Sequence, residues 1–234
     1  MKIMTFNTQH CRNFRTGKID FQVMADAILE NEADFVGLNE IRGLGSDPNY
    51  QNQTPTLSKL TGMSYSFFAP ALIIPDHGPY GNAVLSRVPI VSCETIPIPD
   101  PCPKLPNRHY ETRCLIKVRL ENGLTILVSH FGLNEDEQRN AVDTVLLHLE
   151  ETNCILMGDF NMTPDNPTLA PIFAKMKDTS FLFSEPLLSF PSDEPAIKID
   201  YIFTSPDLTV TQADIPALVA SDHRPHTATI ELKV

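Results

Sequence analysis

Five times along the chain a short apolar run meets a carboxylate, an amide or an imidazole at or near one of its ends. Asn7 closes Lys2-Ile-Met-Thr-Phe, and Asn39 and Glu40 close Phe35-Val-Gly-Leu. Asp159 and Asn161 follow Ile155-Leu-Met-Gly158, Asp200 sits inside Lys198-Ile-Asp-Tyr-Ile-Phe203, and Asp222 and His223 precede the last run. Apolar runs of this length, bounded by polar residues, read as buried strands. The end of a buried strand is where the backbone reaches the surface, and sites are commonly built there. The fold therefore has to be rich in buried strands whose polar ends come together.

The rest of the chain fits that requirement. The spacing predicts strands at Lys2–Asn7, Phe35–Asn39, 64–74, 81–86, Val91–Ile98, Arg113–Arg119, Thr125–Ser129, Asn153–Met157, Ile197–Phe203, Thr209–Thr211 and Thr227–Leu232. Within 64–74, Ala71-Leu-Ile-Ile74 is expected to be buried strand and not a lipid-facing patch. Asp20 caps a predicted helix to about Asn31, with Phe21, Met24, Ile28 and Leu29 near helical spacing. A second helix is predicted over 136–149, where Val142, Val145, Leu146 and Leu149 share a face. The acidic run Glu135-Asp-Glu137 at its start complements the helix dipole. Asn122-Gly123 is a hairpin signal, 75–80 joins two strands, and the five prolines of 97–109 mark a stiff surface loop. Strands outnumber helices, and helices fall between strands. One α/β domain over 1–234, with two packed sheets and helices outside, fits best; a parallel doubly wound sheet is the runner-up. No glycine-rich nucleotide fingerprint follows any strand.

Composition narrows the function. At 234 residues and 42% hydrophobic the chain can bury a sizeable core. No run approaches the ~18 apolar residues of a membrane helix. The net charge of −11 argues against holding long duplex DNA by phosphate neutralisation. The excess is local: residues 1–119 carry 12 basic and 11 acidic side chains, residues 120–234 carry 6 and 18. Five cysteines without a C-x-x-C suggest neither a disulfide framework nor a zinc site. With no leader-like start, a reduced, cytoplasmic location is the expectation.

The polar strand ends suit one chemistry. Carboxylate and amide oxygens are hard ligands for Mg²⁺ or Mn²⁺. Such an ion takes one or two carboxylates plus phosphate oxygens and polarises the phosphorus–oxygen bond. A neighbouring His–Asp pair can activate the attacking water. Asp200 alternates with apolar residues, so it is expected to face inward, where a buried carboxylate needs a partner; His223 is the natural one.

These pieces resemble the DNase I-like endonuclease/exonuclease/phosphatase superfamily. The matching segments are Thr5-Phe-Asn7, Asn39-Glu-Ile41, Tyr80-Gly-Asn-Ala-Val-Leu-Ser-Arg87, Val128-Ser-His130, Gly158-Asp-Phe-Asn161, Ile199-Asp-Tyr201 and Ser221-Asp-His-Arg-Pro225. They occur in the family's order from residue 5 to 225. The resemblance implies a four-layer α/β/β/α sandwich and divalent-metal phosphoesterase activity. It implies Glu40 as the leading metal ligand, with Asn7 beside it and Asp222 joining from the far side. Asp159 and Asn161 would hold the attacking water or phosphate oxygens. His223, oriented by Asp200, would be general base or phosphate contact, with Asp159 the other candidate for the proton. His130 resembles the histidine of the sphingomyelinase and DNase branches, which donates to the phosphate or protonates the leaving group. Two departures stand out. Asn39 occupies the place of the usual Gln before the metal-binding Glu. No clear counterpart is found for the tyrosine that abasic-site endonucleases place near the phosphate, which weighs against DNA repair.

Basic residues adjoin these segments: Arg12, Arg15 and Lys18 after Asn7, Arg42 after Glu40, Lys104 and Arg108 in the proline-rich loop. Arg12, Arg42 and Arg108, with His10, are the expected phosphate-receiving rim. Loops 43–55 and 97–109 would shape substrate choice. A phosphodiester or phosphomonoester of a small molecule or lipid headgroup is favoured. An endo- or exonuclease is the alternative, and a non-catalytic phospho-ligand-binding member of the fold the second. No obligate protein partner is implied.

Overall fold

The apolar runs pair into two six-stranded sheets in a computed structural model that describes residues 1–48 and 50–231. The chain begins with β1 (Lys2–Asn7), α1 (Phe21–Glu30), β2 (Phe35–Arg42), α2 (Gln53–Thr61), β3 (Tyr65–Ile74) and β4 (Gly78–Ser86). It continues with β5 (Ile90–Pro97), β6 (Cys114–Leu120), β7 (Thr125–His130), α3 (Glu135–His148), β8 (Cys154–Asp159), α4 (Ala170–Phe173), β9 (Lys177–Asp178) and β10 (Asp200–Thr204). The last strands, β11 (Thr209–Asp214) and β12 (His226–Glu231), return to the first sheet. The strand orders are β11-β12-β1-β2-β4-β3 and β5-β6-β7-β8-β10-β9.

Three apolar layers hold the sandwich together. Between the sheets, Ile3, Phe35 and Val84 of the first meet Ile116, Val128, Ile155, Met157 and Ile202 of the second. Outside the first sheet, Met24 and Ile28 of α1 and Leu57 of α2 cover Phe6, Val36 and Leu38. Outside the second, Val142 and Val145 of α3 and Ile172 of α4 cover Leu127, Leu156 and Phe203. Each of these side chains contributes roughly 1.5–3 kcal/mol by leaving water. The arrangement is the four-layer α/β/β/α sandwich. Both sheets are mixed, which excludes the parallel doubly wound alternative.

Register delivers the polar ends to one edge. β1 and β2 run parallel with Asn7 opposite Asn39. In the second sheet β7 and β8 run parallel with His130 opposite Asp159, and antiparallel β10 sets Asp200 opposite Asp159. Glycines allow the close approaches this needs. A Cβ on Gly37 would lie 2.9 Å from Met157 Sδ across the sheet interface, and one on Gly158 only 1.7 Å from Ser129 O in the adjacent strand.

Local signals act as expected in several places. The Asp20 carboxylate accepts the Val23 N–H at 3.2 Å and starts α1. Asn134 and Glu137 form a capping box at the start of α3. Gly123, at φ +87°, closes the β6–β7 turn. Elsewhere the structure corrects the sequence. The β3–β4 connection is only 75–77, because Gly78 and Pro79 already pair with Ile74 and Ile73. β3 is an edge strand, which leaves Ile73 67% exposed and Ala71, Leu72 and Ile74 only half-buried. The strand expected from Ile197 begins at Asp200; Ile197 makes only an isolated bridge with Phe190. The last strand ends at Glu231, and Leu232 lies outside the described residues. α2 was not foreseen: in QTPTLSKLT only Leu57 is a buried aliphatic, too sparse for a helical period.

Gly158→Ala is expected to lower stability by about 3 kcal/mol or more, since both its φ of +147° and the Ser129 carbonyl resist a side chain. Urea unfolding of the variant beside the unaltered chain measures this.

Candidate active site

A bulge in β2 aims the first carboxylate. Between Leu38 and Ile41 the register against β4 shifts, and Glu40 takes a left-handed φ of +59°. A non-glycine residue holds such a conformation only when its surroundings over-determine it, and such residues cluster at functional sites. Asn7 Nδ2 donates to Glu40 Oε1 at 3.1 Å, and the Tyr80 hydroxyl donates to the same carboxylate. Burial raises the Glu40 pKa; the Asn7 and Tyr80 hydrogen bonds oppose that rise, and the charge of Asp222 adds to it.

Asp159 sits at the centre. It accepts Asn7 Nδ2 at 3.0 Å and the Asn161 N–H at 2.9 Å, and its own N–H donates to Asn39 Oδ1 at 3.0 Å. His130 Nε2 lies 3.4 Å and His223 Nε2 3.6 Å from Asp159 Oδ2. Burial lifts Asp159 to about 7, with His223 opposing and Asp200 reinforcing the rise. His223 Nδ1 is 2.8 Å from Asp200 Oδ2, and its ring packs against Phe190 at 4.8 Å. Burial alone would depress the His223 pKa, but Asp200 and then Asp159 overcome it and raise the ring to about 10. Asp222 accepts from Gln9 Nε2 at 2.8 Å and from Ser221 Oγ at 3.0 Å.

His130 is gripped on both sides. Arg113 Nη1 lies 3.2 Å from Nδ1, and Asn161 Nδ2 lies 3.1 Å from Nε2 while donating to Phe131 O at 3.0 Å. Burial, then Arg113 and His223, keep its pKa well below the usual histidine range.

Asn7, Glu40, Asp159, Asn161, Asp200, His223 and His130 are thus linked in one cluster, with Asp222 close enough for its charge to act on Glu40 and His223. Asn7 turns its amide nitrogen, not its oxygen, to the carboxylates. His10 Nδ1 is 3.9 Å from Glu40 Oε2, and burial with the charges of Arg42 and Arg12 lowers its pKa to about 4. Arg42 lies over the Tyr50 ring at 4.6 Å with Nε buried and unpaired, whereas exposed Arg12 donates to Gly17 O at 3.3 Å. Arg108 is not brought in: it is exposed on the proline-rich loop and makes no hydrogen bond or ion pair among the described residues.

Sequence reading missed Tyr80, Arg113 and Gln9. A tyrosine does stand at the site; Tyr80 headed a matching segment, and its place opposite Arg42 across the bulge follows only from the pairing of β2 with β4. The donor set fits a hard divalent cation. Carboxylates of Glu40, Asp159, Asp200 and Asp222 converge, and Asp200 Oδ1 is buried without a hydrogen-bond partner. Ligand atoms of Asp159, Asp200 and His223 lie within 4.8 Å of one another. Four carboxylate side chains gathered beside one imidazole make a set of hard oxygen donors of the kind that suits such a cation.

The sequence model of the Endonuclease/Exonuclease/phosphatase family matches residues 4–223. The chain belongs to this family. Among solved structures, an endonuclease/exonuclease/phosphatase from Beutenbergia cavernae is 22% identical, with a TM-score of 0.77 over 99% of this chain and 71% of that one. A Bacteroides thetaiotaomicron mannosyl-6-phosphatase is 13% identical at a TM-score of 0.75, covering 99% of both chains. ANGEL2, a 2′,3′-cyclic phosphatase, is 14% identical at 0.71 over 100% of this chain and 96% of its own. At such identities these structures share the fold. Comparison with curated protein sequences gave no match.

In this family member the His223–Asp200 pair links protonation to folding. A folded-state pKa of about 10 against an ordinary 6.5 adds stability that is complete below pH 6.5 and fades as pH rises toward 10. The stability gap between the metal-free chain and Asp200→Asn is therefore expected to be widest near pH 6 and to shrink steadily to pH 10. Chemical denaturation at a series of pH values reads it; a gap that grows with pH contradicts the assignment.

Proposed function

We propose that the chain is a divalent-metal-dependent phosphoesterase whose site is the cluster at the sheet edge. The observation that carries this is the meeting of Glu40, strained on its bulge, with Asp159 and the His223–Asp200 pair, all bridged directly or indirectly through Asn7 and Asp159. Because the site draws on side chains from residue 7 to residue 223, residues 1–234 are taken as one functional domain.

Glu40, with Asp222 and Asn7 beside it, would hold the Mg²⁺ or Mn²⁺ ion; Asn7 would do so by turning its amide oxygen inward. The ion when bound supplies Lewis-acid polarisation of the phosphate. Asp159, poised near neutrality, takes the proton of the attacking water; a base works best with a pKa close to the working pH. His223, kept protonated by Asp200, faces the phosphate as a cationic donor. This divides between two residues the roles that sequence alone left open. Asn161 and His130 line the same pocket wall, and Arg42 and Arg12 form the basic rim on the Glu40 side, where His10 stands as a neutral imidazole.

Net charge −11 favours a small phosphoester or lipid headgroup over long duplex DNA, and phosphatases acting on a sugar phosphate and on a cyclic phosphate share the fold. Among the described residues no helix is long and apolar enough to cross a membrane. The cysteines are free, in keeping with a reducing cytoplasm.

Hydrolysis of at least one member of a phosphomonoester, phosphodiester and plasmid panel is expected with Mg²⁺ or Mn²⁺, and its loss on chelation. Glu40→Gln and Asp159→Asn should each lower kcat by about a hundredfold or more while keeping the fold by circular dichroism. Full activity in either variant rejects the assignment, and preferential plasmid nicking moves the substrate class to nucleic acid.

A further inference from the structure

We propose that a cleft beside the catalytic cluster, between residues 163–164, 180–188 and 196–198, takes the hydrocarbon chain of an amphiphilic phosphoester. The inference rests on the reading of the sheet-edge cluster as the phosphoesterase site and names the kind of substrate that site would serve. Two cavities of about 500 and 730 Å³ adjoin one another across Pro164 and Ser180, and together they make an elongated cleft. Each has the size of a small-molecule site.

Three segments lead from the smaller cavity into the cluster. Thr163 lies two residues beyond Asn161, Lys198 two residues before Asp200, and Leu188 two residues before Phe190, whose ring packs on His223 at 4.8 Å. Two residues span at most about 7 Å of chain. A phosphate held at Asp159 and His223 therefore has the cleft within reach of a short linker.

The lining selects hydrocarbon. Phe183, Leu187, Leu188 and Ile197 line the smaller cavity, and Phe173, Met176 and Phe181 the larger. Phe173, Phe181 and Ile197 remain exposed to water. Apolar side chains left in solvent around a concavity mark a surface meant to be covered. The cations of the lining are engaged elsewhere. Lys198 Nζ donates to Asp178 Oδ2 at 3.0 Å and stands 3.4 Å from the centre of the Tyr201 ring, and Lys177 Nζ donates to Pro206 O at 3.2 Å. Glu185, on the exposed loop, adds only negative charge. An anionic head thus gains nothing by entering; it stays at the catalytic cluster, and the apolar chain fills the cleft.

The sequence holds no tryptophan, so one placed in the cleft reports on it alone. In Phe183→Trp with metal chelated, decyl phosphate below its micelle concentration is expected to change the emission saturably, whereas ethyl phosphate at the same concentration leaves it unchanged. Adding Phe181→Asp or Ile197→Glu, both at exposed positions, should weaken that binding about tenfold or more. With Mg²⁺ or Mn²⁺, kcat/KM over n-alkyl phosphates and their methyl diesters should rise about threefold per methylene from ethyl to octyl, mainly through KM, and the slope should flatten in Phe181→Asp and Ile197→Glu. No emission change with decyl phosphate, or binding that both variants leave intact, overturns the proposal. So does light scattering that finds two chains together in the unaltered protein and one in Phe181→Asp, which assigns the cleft to a second copy. Should Phe183→Trp fail to fold, the slope of the unaltered chain and its loss in Phe181→Asp decide the matter. Inactivity on every ester together with the expected emission change sinks the phosphoesterase reading and keeps the cleft as a hydrocarbon site; turnover with a flat slope sinks the cleft and keeps the reading.

Discussion

Asn39 is the stitch between the two sheets at the edge where the site forms. Its side chain is wholly buried within β2, at the bulge. Its nitrogen donates to Asn82 Oδ1 at 2.8 Å and to Ser129 O at 3.2 Å, and its oxygen accepts the Asp159 N–H at 3.0 Å. Asn82 passes the connection on to Cys114 O at 3.1 Å. A buried amide tolerates no unpaired group without a cost of about 1–3 kcal/mol, so these partners fix one relative height for the sheets. Asp159 from the second sheet then arrives level with Asn7 and Glu40 from the first. The apolar layer between the sheets supplies cohesion; the amide network supplies registration. Where the resemblance led one to expect a glutamine, the shorter asparagine meets these partners across a narrow gap that Gly37 helps to keep narrow.

Much of this was legible because of where polar residues sit along apolar runs. Asn7, Glu40, Asp159 and Asp200 could be read as strand ends, and the alternation around Asp200 pointed to an inward carboxylate that His223 partners at 2.8 Å. The cap at Asp20 and the turn at Gly123 are local signals and formed where expected. What stayed hidden depends on pairing between distant strands. Tyr80 reaches Glu40 only because β2 slips by a bulge against β4. Arg113 reaches His130 because antiparallel β6 and β7 bring Cys114 beside that histidine's end of β7. α2 lacks a periodic apolar face, and the strand start at Ile197 was displaced because the chain there bridges to Phe190 first. Arg108 lies in the same half of the sequence as the rim residues, yet the proline-rich loop leaves it in solvent.

Charge is distributed with a purpose that the total conceals. The acidic excess belongs to residues 120–234, whereas the segments after β1 and β2 bring arginines to the mouth of the site. Within the pocket the sign reverses again, because carboxylates are drawn out of water and held close together. Burial pushes the pKa values of Glu40 and Asp159 up, toward the neutral acids, whereas the imidazole of His223 gains positive charge with its proton because Asp200 and Asp159 face it. An electrostatic gradient from basic rim to acidic floor suits an anion carried in with a cation at its base.

The turn after β1 carries a consequence of its own. Gln9, His10 and Cys11 follow one another at φ +46°, +49° and +61°, a left-handed run without a glycine. Each such residue costs about 1–2 kcal/mol relative to the right-handed form. Through that run Gln9 reaches Asp222, while the carbonyl of His10 takes the Gln53 amide at 2.7 Å. Stability given up in that short stretch is what sets the Gln9 amide on Asp222 and ties the segment to α2 through Gln53.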